Sequence, residues 1–200
     1  MYDELMRSGA KKPQRRNDPA GLRSRVLDQA YRLFQSQGYN ATGVQEVAAA
    51  AGVSGGALHH HFATKKALGL AVINERVAAA VEETWLDPVR HGDSAREGVL
   101  QVFLGLADEL DQNGAVRGCP VNNLTLELAY ADPEFRLELR SLFDRWRATI
   151  EQKISETKPD GAAELAAMIV ASYSGAMALS KVEQRGEPLR LCAQELMRLL

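Results

Sequence analysis

Residues 42–66 read TGVQEVAAAAGVSGGALHHHFATKK, and no other stretch limits the possible folds of this chain so tightly. Thr42, with Gln45 three residues on, has the form of a capping box that starts a helix through Val44, Val47 and Ala48. Gly52 offers the left-handed residue that ends such a helix. Ser54 is suited to cap a second short helix running through Leu58 to about Phe62. Ala48, Ala49, Ala51 and Gly52 leave room for the two helices to cross closely. Two short helices joined by a glycine turn form a helix-turn-helix, whose second member lies in a DNA major groove.

The flanking sequence extends this unit. Asp18-Pro19 has the form of an N-cap followed by a first-turn proline. Val26, Leu27, Ala30, Tyr31 and Phe34 then share one helical face, and Gly38 closes the helix. The result is a three-helix DNA-binding domain over residues 19–66, with Arg23 and Arg25 placed either to reach phosphates or to stand in solvent. Residues 1–18 hold Lys11, Lys12, Arg15 and Arg16 without an apolar period. They read either as a solvated basic tail or as an arm touching the DNA backbone or minor groove. Downstream, Thr64 caps a long helix from Lys65 to about Trp85, expected to stop before Pro88. Further helices are expected over about 94–112, 121–130, 133–157, 161–186 and 188–200, with no strands. The expected fold class is all-α, with residues 67–200 forming a C-terminal helical bundle.

Net charge supports a two-part reading. The whole chain carries −2, which by itself says nothing of nucleic acid. Residues 1–66, however, hold ten Lys/Arg against five Asp/Glu, a net +5, and the remainder holds fourteen against twenty-one, a net −7. A basic module on an acidic body is expected where one end meets phosphate. No apolar run approaches the ~18 residues of a membrane span, and the N-terminus lacks the apolar core of a signal peptide. A cytoplasmic protein with no membrane partner is therefore expected. Cys119 and Cys192 lack zinc-site spacing and make no disulfide framework. No nucleophile–base–orienter set or phosphate-binding glycine loop is present, so an enzyme is not expected and no cofactor is implied.

The run from Arg25 to Leu70 resembles the DNA-binding domain of the tetracycline-repressor (TetR) family. Phe34, Gly38, Tyr39, Thr42, Val44, Val47, Ala48, Ala51, Gly52, Val53, Ser54, Gly56, Leu58, His61, Phe62, Thr64, Lys65 and Leu68 all match that family's pattern. His59 stands where the family usually has a phosphate-contacting tyrosine, and Gly55 where it often has a larger polar residue. The resemblance implies a transcriptional regulator, a repressor released from a pseudo-palindromic double-stranded operator by a small-molecule effector. It also implies a homodimer built through the last two helices, with residues 67–200 serving ligand binding and dimerisation. The segment 118–150 is similar to the body of a TetR subgroup, some of whose members respond to reactive or small organic compounds.

Within that frame the DNA-binding candidates are Thr42, Ser54, Gly55, Gly56, Ala57, His59, His60, Lys65 and Arg25. Small residues can meet thymine methyls, and a histidine can donate to guanine or phosphate. Lys65 beside the Thr64 cap suits a phosphate clamp. His59, His60 and His61 point about 100° apart on a helix and cannot converge on one metal ion. For the body, Trp85, Phe103, Cys119, Asn122, Asn123, Trp146, Tyr173 and Met177 are candidates for an effector pocket, with Tyr130 a further one; as a set they read equally as core. Cys119, in Gly-Cys-Pro at a helix start, is either a plain buried cysteine or an electrophile or redox sensor, its thiolate favoured by the helix dipole and by Lys181. The effector is accordingly expected to be apolar or electrophilic. Cys192 is expected at the dimer interface.

Overall fold

The computed structural model describes residues 19–200. The basic arm and the Asp18 cap expected from the sequence lie outside the described residues. Among the described residues the chain is helical throughout and has no strand.

Helix α1 (Pro19–Gln37) buries Val26, Leu27, Ala30 and Phe34 and ends at Gly38, whose φ of +91° requires glycine. Helices α2 (Val44–Ala50) and α3 (Gly55–His61) follow, separated by Gly52 at φ +66°. Ser54 caps α3 as expected, its Oγ accepting from the Ala57 amide at 3.2 Å. Thr42 does not cap α2. The N-cap is Gly43, and Glu46 three residues on accepts from the Gly43 amide at 3.4 Å. Thr42 is only 1% exposed and donates to the Gly38 carbonyl at 2.6 Å, so it closes the turn after α1.

The long connector also differs from expectation. Lys65–Val72, the π-turn Ile73–Val77, Ala78–Val81, the π-turn Glu82–Leu86 and Asp87–His91 succeed one another without interruption. They form one helix, α4 (65–91), capped by Thr64 and passing through Pro88. The wide turn just before Asp87-Pro88 relaxes the hydrogen-bond ladder where proline lacks an N–H, and the ring then occupies a first-turn position that it tolerates.

Five helices complete the body: α5 (Ala95–Asn113), α6 (Pro120–Leu128), α7 (Pro133–Ser155), α8 (Ala162–Glu183) and α9 (Glu187–Leu196). Ser94 and Asp132 cap α5 and α7. At the centre, Trp85, Phe103, Trp146 and Tyr173 pack ring against ring, with Trp85 4.9 Å from Tyr173 and 5.1 Å from Trp146. The apolar core runs without a break from Val26 to Leu196.

Helix α8 is apolar on nearly every side. Its 22 residues are long and apolar enough to cross a membrane by length and composition, contrary to the sequence reading, yet 44% of the most apolar window is buried in the body. The helix therefore has one face in the core and one without a cover in the single chain. That pattern belongs to a helix hydrophobic all round that meets a second packing partner.

The three N-terminal helices join the body by charge and by rings. Arg23 donates to Glu75 at 2.6 Å, Arg76 to Asp28 at 2.7 Å, and Lys66 pairs with Asp132 at 2.8 Å and Glu134 at 2.7 Å. Half-exposed pairs of this kind contribute about 0–1 kcal/mol each. The buried rings of Phe34, Tyr39 and Phe135, edge to face at 5.1 and 5.3 Å, carry more, since burying one aromatic side chain is worth roughly 1.5–3 kcal/mol. Packing thus holds the joint, and the ion pairs orient it.

Candidate nucleic-acid interface and effector cleft

The outward surface of α3 comes from its sequence alternation. Leu58 is buried under α1, which leaves His59 and His60 exposed and His61 half-buried. His60 and His61 rings meet edge to face, His59 has no hydrogen-bond partner among the described residues, and the three do not form a metal site there. Gly56 has open space where a side chain would stand. Gly55 does not: a Cβ there would lie 3.1 Å from the Gln45 side-chain amide, so this glycine serves the crossing of α2 and α3. Gln45 is thereby exposed beside the start of α3, a position the capping-box reading concealed.

The cations around α3 divide by what they already hold. Arg25 is exposed on α1 and has no ion-pair or hydrogen-bond partner among the described residues. Arg23 is committed to Glu75 and lies over the Phe62 ring at 5.2 Å, so it braces α1 against α3 and α4. Lys65 donates to the Asn40 carbonyl at 3.1 Å and sits 4.6 Å from the Tyr39 ring centre. It is a cation pinned to the α1–α2 turn at the surface. Ser54 and Ala57 flank this surface, whereas buried Thr42 is withdrawn from it as a correction to the sequence reading: its hydroxyl and amide both serve the turn.

In the body the expected residues separate into two groups. Cys119, Asn122, Asn123 and Met177 line an open cleft of about 380 Å³ between α6 and α8, together with Gly118, Thr125, Leu126, Ser174, Ala178 and Lys181. Trp85, Phe103, Trp146 and Tyr173 do not line it. They fill the core beneath, packed on one another and all but inaccessible. Tyr130 is 98% exposed in the turn after α6 and does not line this cleft. Asn122 donates to the Ser174 carbonyl at 3.3 Å and accepts from the Ser174 hydroxyl at 3.2 Å, tying α6 to α8 at the cleft. The Trp146 indole N–H is buried with no hydrogen-bond partner among the described residues. An unmade buried donor costs about 1–3 kcal/mol.

Cys119 occupies the N-cap of α6, as its place in Gly-Cys-Pro implied, but is only 4% exposed. Burial pushes its thiol up, outweighing the lowering by the Asn122 and Val121 amides and the Tyr173 hydroxyl. Lys181 shares the cleft but directs its ammonium to Asn123 Oδ1 at 3.3 Å. Desolvation therefore outweighs the neighbouring amides, and the sensor alternative, one of the two readings the sequence leaves open for this thiol, lacks the lowered pKa it invokes. Tyr173 beside it is likewise pushed well up, first by burial and then by Cys119. Cys192 is half-exposed on α9, its thiol 4.0 Å from the Ser172 carbonyl.

Comparison with known proteins agrees with this geometry. The profile of "Bacterial regulatory proteins, tetR family" matches residues 26–72, and that of the "Transcriptional regulator LmrA/YxaF-like, C-terminal domain" matches residues 95–195. The chain is 27% identical over 182 residues to the HTH-type transcriptional repressor DhaR of Mycobacterium sp. (strain GP1), covering 84% of this chain and 86% of that one. It is 30% identical over 164 residues to the transcriptional regulator AcuR of Cereibacter sphaeroides, covering 76% and 73%. The crystal structure of a TetR transcriptional regulator from Chloroflexus aurantiacus superposes with a TM-score of 0.77 at 28% identity, over 90% of this chain and 94% of that one.

Proposed function

Because the chain belongs to the TetR family of bacterial transcriptional regulators, we propose that it is a homodimeric repressor which leaves a pseudo-palindromic operator when a small molecule occupies the α6/α8 cleft. It is a DNA-binding regulator and not an enzyme. The observation that carries the proposal is the exposed α3 surface, with His59, His60 and Arg25 uncommitted, packed in one continuous core with a body that holds an open cleft. Residues 19–66 act as the reading head and 67–200 as the effector-binding and dimerising body. A DNA partner supports a cytoplasmic location, and the relative DhaR, named a repressor, supports repression as the output.

The uncovered face of α8 supports the dimer. Glu164, Met168, Ala171, Gly175, Ala178 and Val182 are all exposed at alternating spacings of four and three residues, the repeat of a helix-packing seam. Leu179 and Val182, 55% and 83% exposed, and Leu191 on α9 extend it. Two such chains would set their α3 helices roughly 34–36 Å apart, one turn of DNA. The cleft's Leu126, Met177 and Ala178 suit an apolar effector body, while Lys181, Asn122 and Asn123 suit hydrogen-bond acceptors on it. The alternative effector chemistry, an electrophile or oxidant acting on Cys119, is disfavoured by the burial and raised pKa of that thiol.

The test is binding of the dimer to a duplex selected from random-sequence DNA. Six or more phosphate contacts should cost ~10³-fold or more in affinity between 50 and 200 mM salt. Affinity that ignores salt, or failure to select any duplex, would remove the repressor reading.

A further inference from the structure

We propose that the groove between α7 and α8 is a second ligand site, distinct from the α6/α8 cleft, and that it takes an amphipathic carboxylate. The groove has a volume of about 420 Å³, within the range of small-molecule sites. Its α7 wall carries Arg136, Arg140, Phe143 and Arg147, spaced four, three and four residues apart and so on one helical stripe. At 1.5 Å per residue that stripe is about 16 Å long. The α8 wall is formed by alanines, Val170 and Ser174, small and without charge.

The charge of this groove runs against its surroundings. Residues 67–200 carry −7, yet three guanidiniums meet here. Among the described residues, Asp144 is the only carboxylate paired with them, at 2.5 Å from Arg147 and 3.6 Å from Arg140. Arg136 is in no ion pair there and uses one N–H on the Ala129 carbonyl at 3.2 Å. Arg147 is thus committed, whereas Arg136 and the loosely held Arg140, one turn apart, keep donors for an occupant of the groove. Like charges at this spacing repel, and an anion between them removes the repulsion. Guanidiniums present planar, forked donors that match the two oxygens of a carboxylate.

Beneath the arginines the surface is apolar. Leu139 is buried and Phe143 half-buried, with the Phe143 ring parallel to Trp146 at 6.0 Å and an interplanar angle of 9°. A charged rim over an apolar floor selects a molecule with one anionic end and a hydrocarbon or aryl body. A polyanion would leave charges over Phe143 and the alanines. At the α6 end, Thr125 Oγ1 is a buried polar atom with no hydrogen-bond partner among the described residues. Such a group costs stability until something pairs with it. Thr125 and Ser174 border both cavities, but the cation of the cleft, Lys181, already donates to Asn123. Ala171 belongs to the groove and to the α8 seam alike, whereas all three arginines stand on α7, which the seam does not include.

The experiment uses the full-length protein with decanoate as the probe, read by isothermal titration calorimetry. Decanol is the uncharged control and acetate the control without a tail. Decanoate should bind about tenfold or more tighter than either, because charge-assisted hydrogen bonds and apolar burial are both needed. Arg136→Gln combined with Arg140→Gln should weaken decanoate about tenfold or more, with helical content and dimer mass unchanged. Ala167→Trp, which fills the groove from the α8 side, should weaken it without removing an arginine. Lys181→Gln should leave it unchanged. Absence of decanoate binding, or decanol binding as tightly as decanoate, overturns the proposal. Loss of binding in Lys181→Gln but not in the arginine variant overturns it by assigning the anion to the cleft. A dimer that dissociates in the arginine variant overturns it by showing that the partner subunit covers the groove. DNA enters none of these measurements, so failure here leaves the repressor reading standing, and failure to select a duplex leaves this site standing.

Discussion

Gly69→Ala tests whether the joint between reading head and body is as tightly packed as its geometry indicates. Gly69 lies inside α4, where alanine normally stabilises a helix by about 1 kcal/mol. Here an added Cβ would stand 2.7 Å from Tyr39 Cε2 and 2.9 Å from Phe135 Cζ. Both rings are buried, and Tyr39 is held between Phe34 and Phe135, so neither has an empty direction to turn. Overpacking of this kind costs about 1–3 kcal/mol, which leaves a net loss of about 0–2 kcal/mol. Gly105→Ala is the control: Gly105 is exposed in α5 with nothing near its Cβ position, so the helix gain of up to about 1 kcal/mol stands alone. Urea unfolding at one fixed protomer concentration compares the two, since a dimer's stability depends on concentration. The substitutions should move the midpoint in opposite directions, or at least differ by about 1–3 kcal/mol. Equal stabilisation by both would show that the rings yield freely and that the joint is loosely packed.

Three further outcomes are expected. Cys119 should react with a soluble alkylating agent more slowly than half-exposed Cys192, by mass spectrometry of labelled peptides, and Cys119→Ser should leave DNA release by a non-reactive effector intact. The Glu75 carboxyl is held below its ordinary value of 4.5, first by its hydrogen bond from Arg23, so the stabilisation is fully present above that pH and is lost as pH falls through the lowered folded value. Glu75→Gln should therefore flatten the acid limb of a stability-versus-pH curve and leave its shape above pH ~5 unchanged. Finally, Val182→Glu, alone or with Leu179→Glu, places charge on the α8 seam and should give monomers by light scattering with unchanged helical content; a persistent dimer would move the interface elsewhere.

Local chemistry carries its own signature in a sequence. The helix-turn-helix, the Ser54 and Thr64 caps, the glycines at 38 and 52 and the apolar face of α1 were legible because each depends on residues within one or two turns. Their spacing was enough to define the all-helical class, the exposed histidines of α3 and the resemblance to a regulator family. Where local signals compete, the pattern misleads: Thr42 looks like a cap, yet its hydroxyl finds the Gly38 carbonyl first and leaves Gly43 and Glu46 to start α2. Pro88 looks like a stop, yet a π-turn ahead of it carries α4 onward. Contacts between segments distant in the chain have no such signature. Only the tertiary structure decided that Trp85, Phe103, Trp146 and Tyr173 fill the core while Cys119, Asn122, Asn123 and Met177 border the cleft. It alone set burial over dipole at Cys119 and brought Glu127 to amides 87 and 88 residues away. Side-chain type and spacing specify what a helix can bury, but which partner it meets depends on the packing of every helix at once.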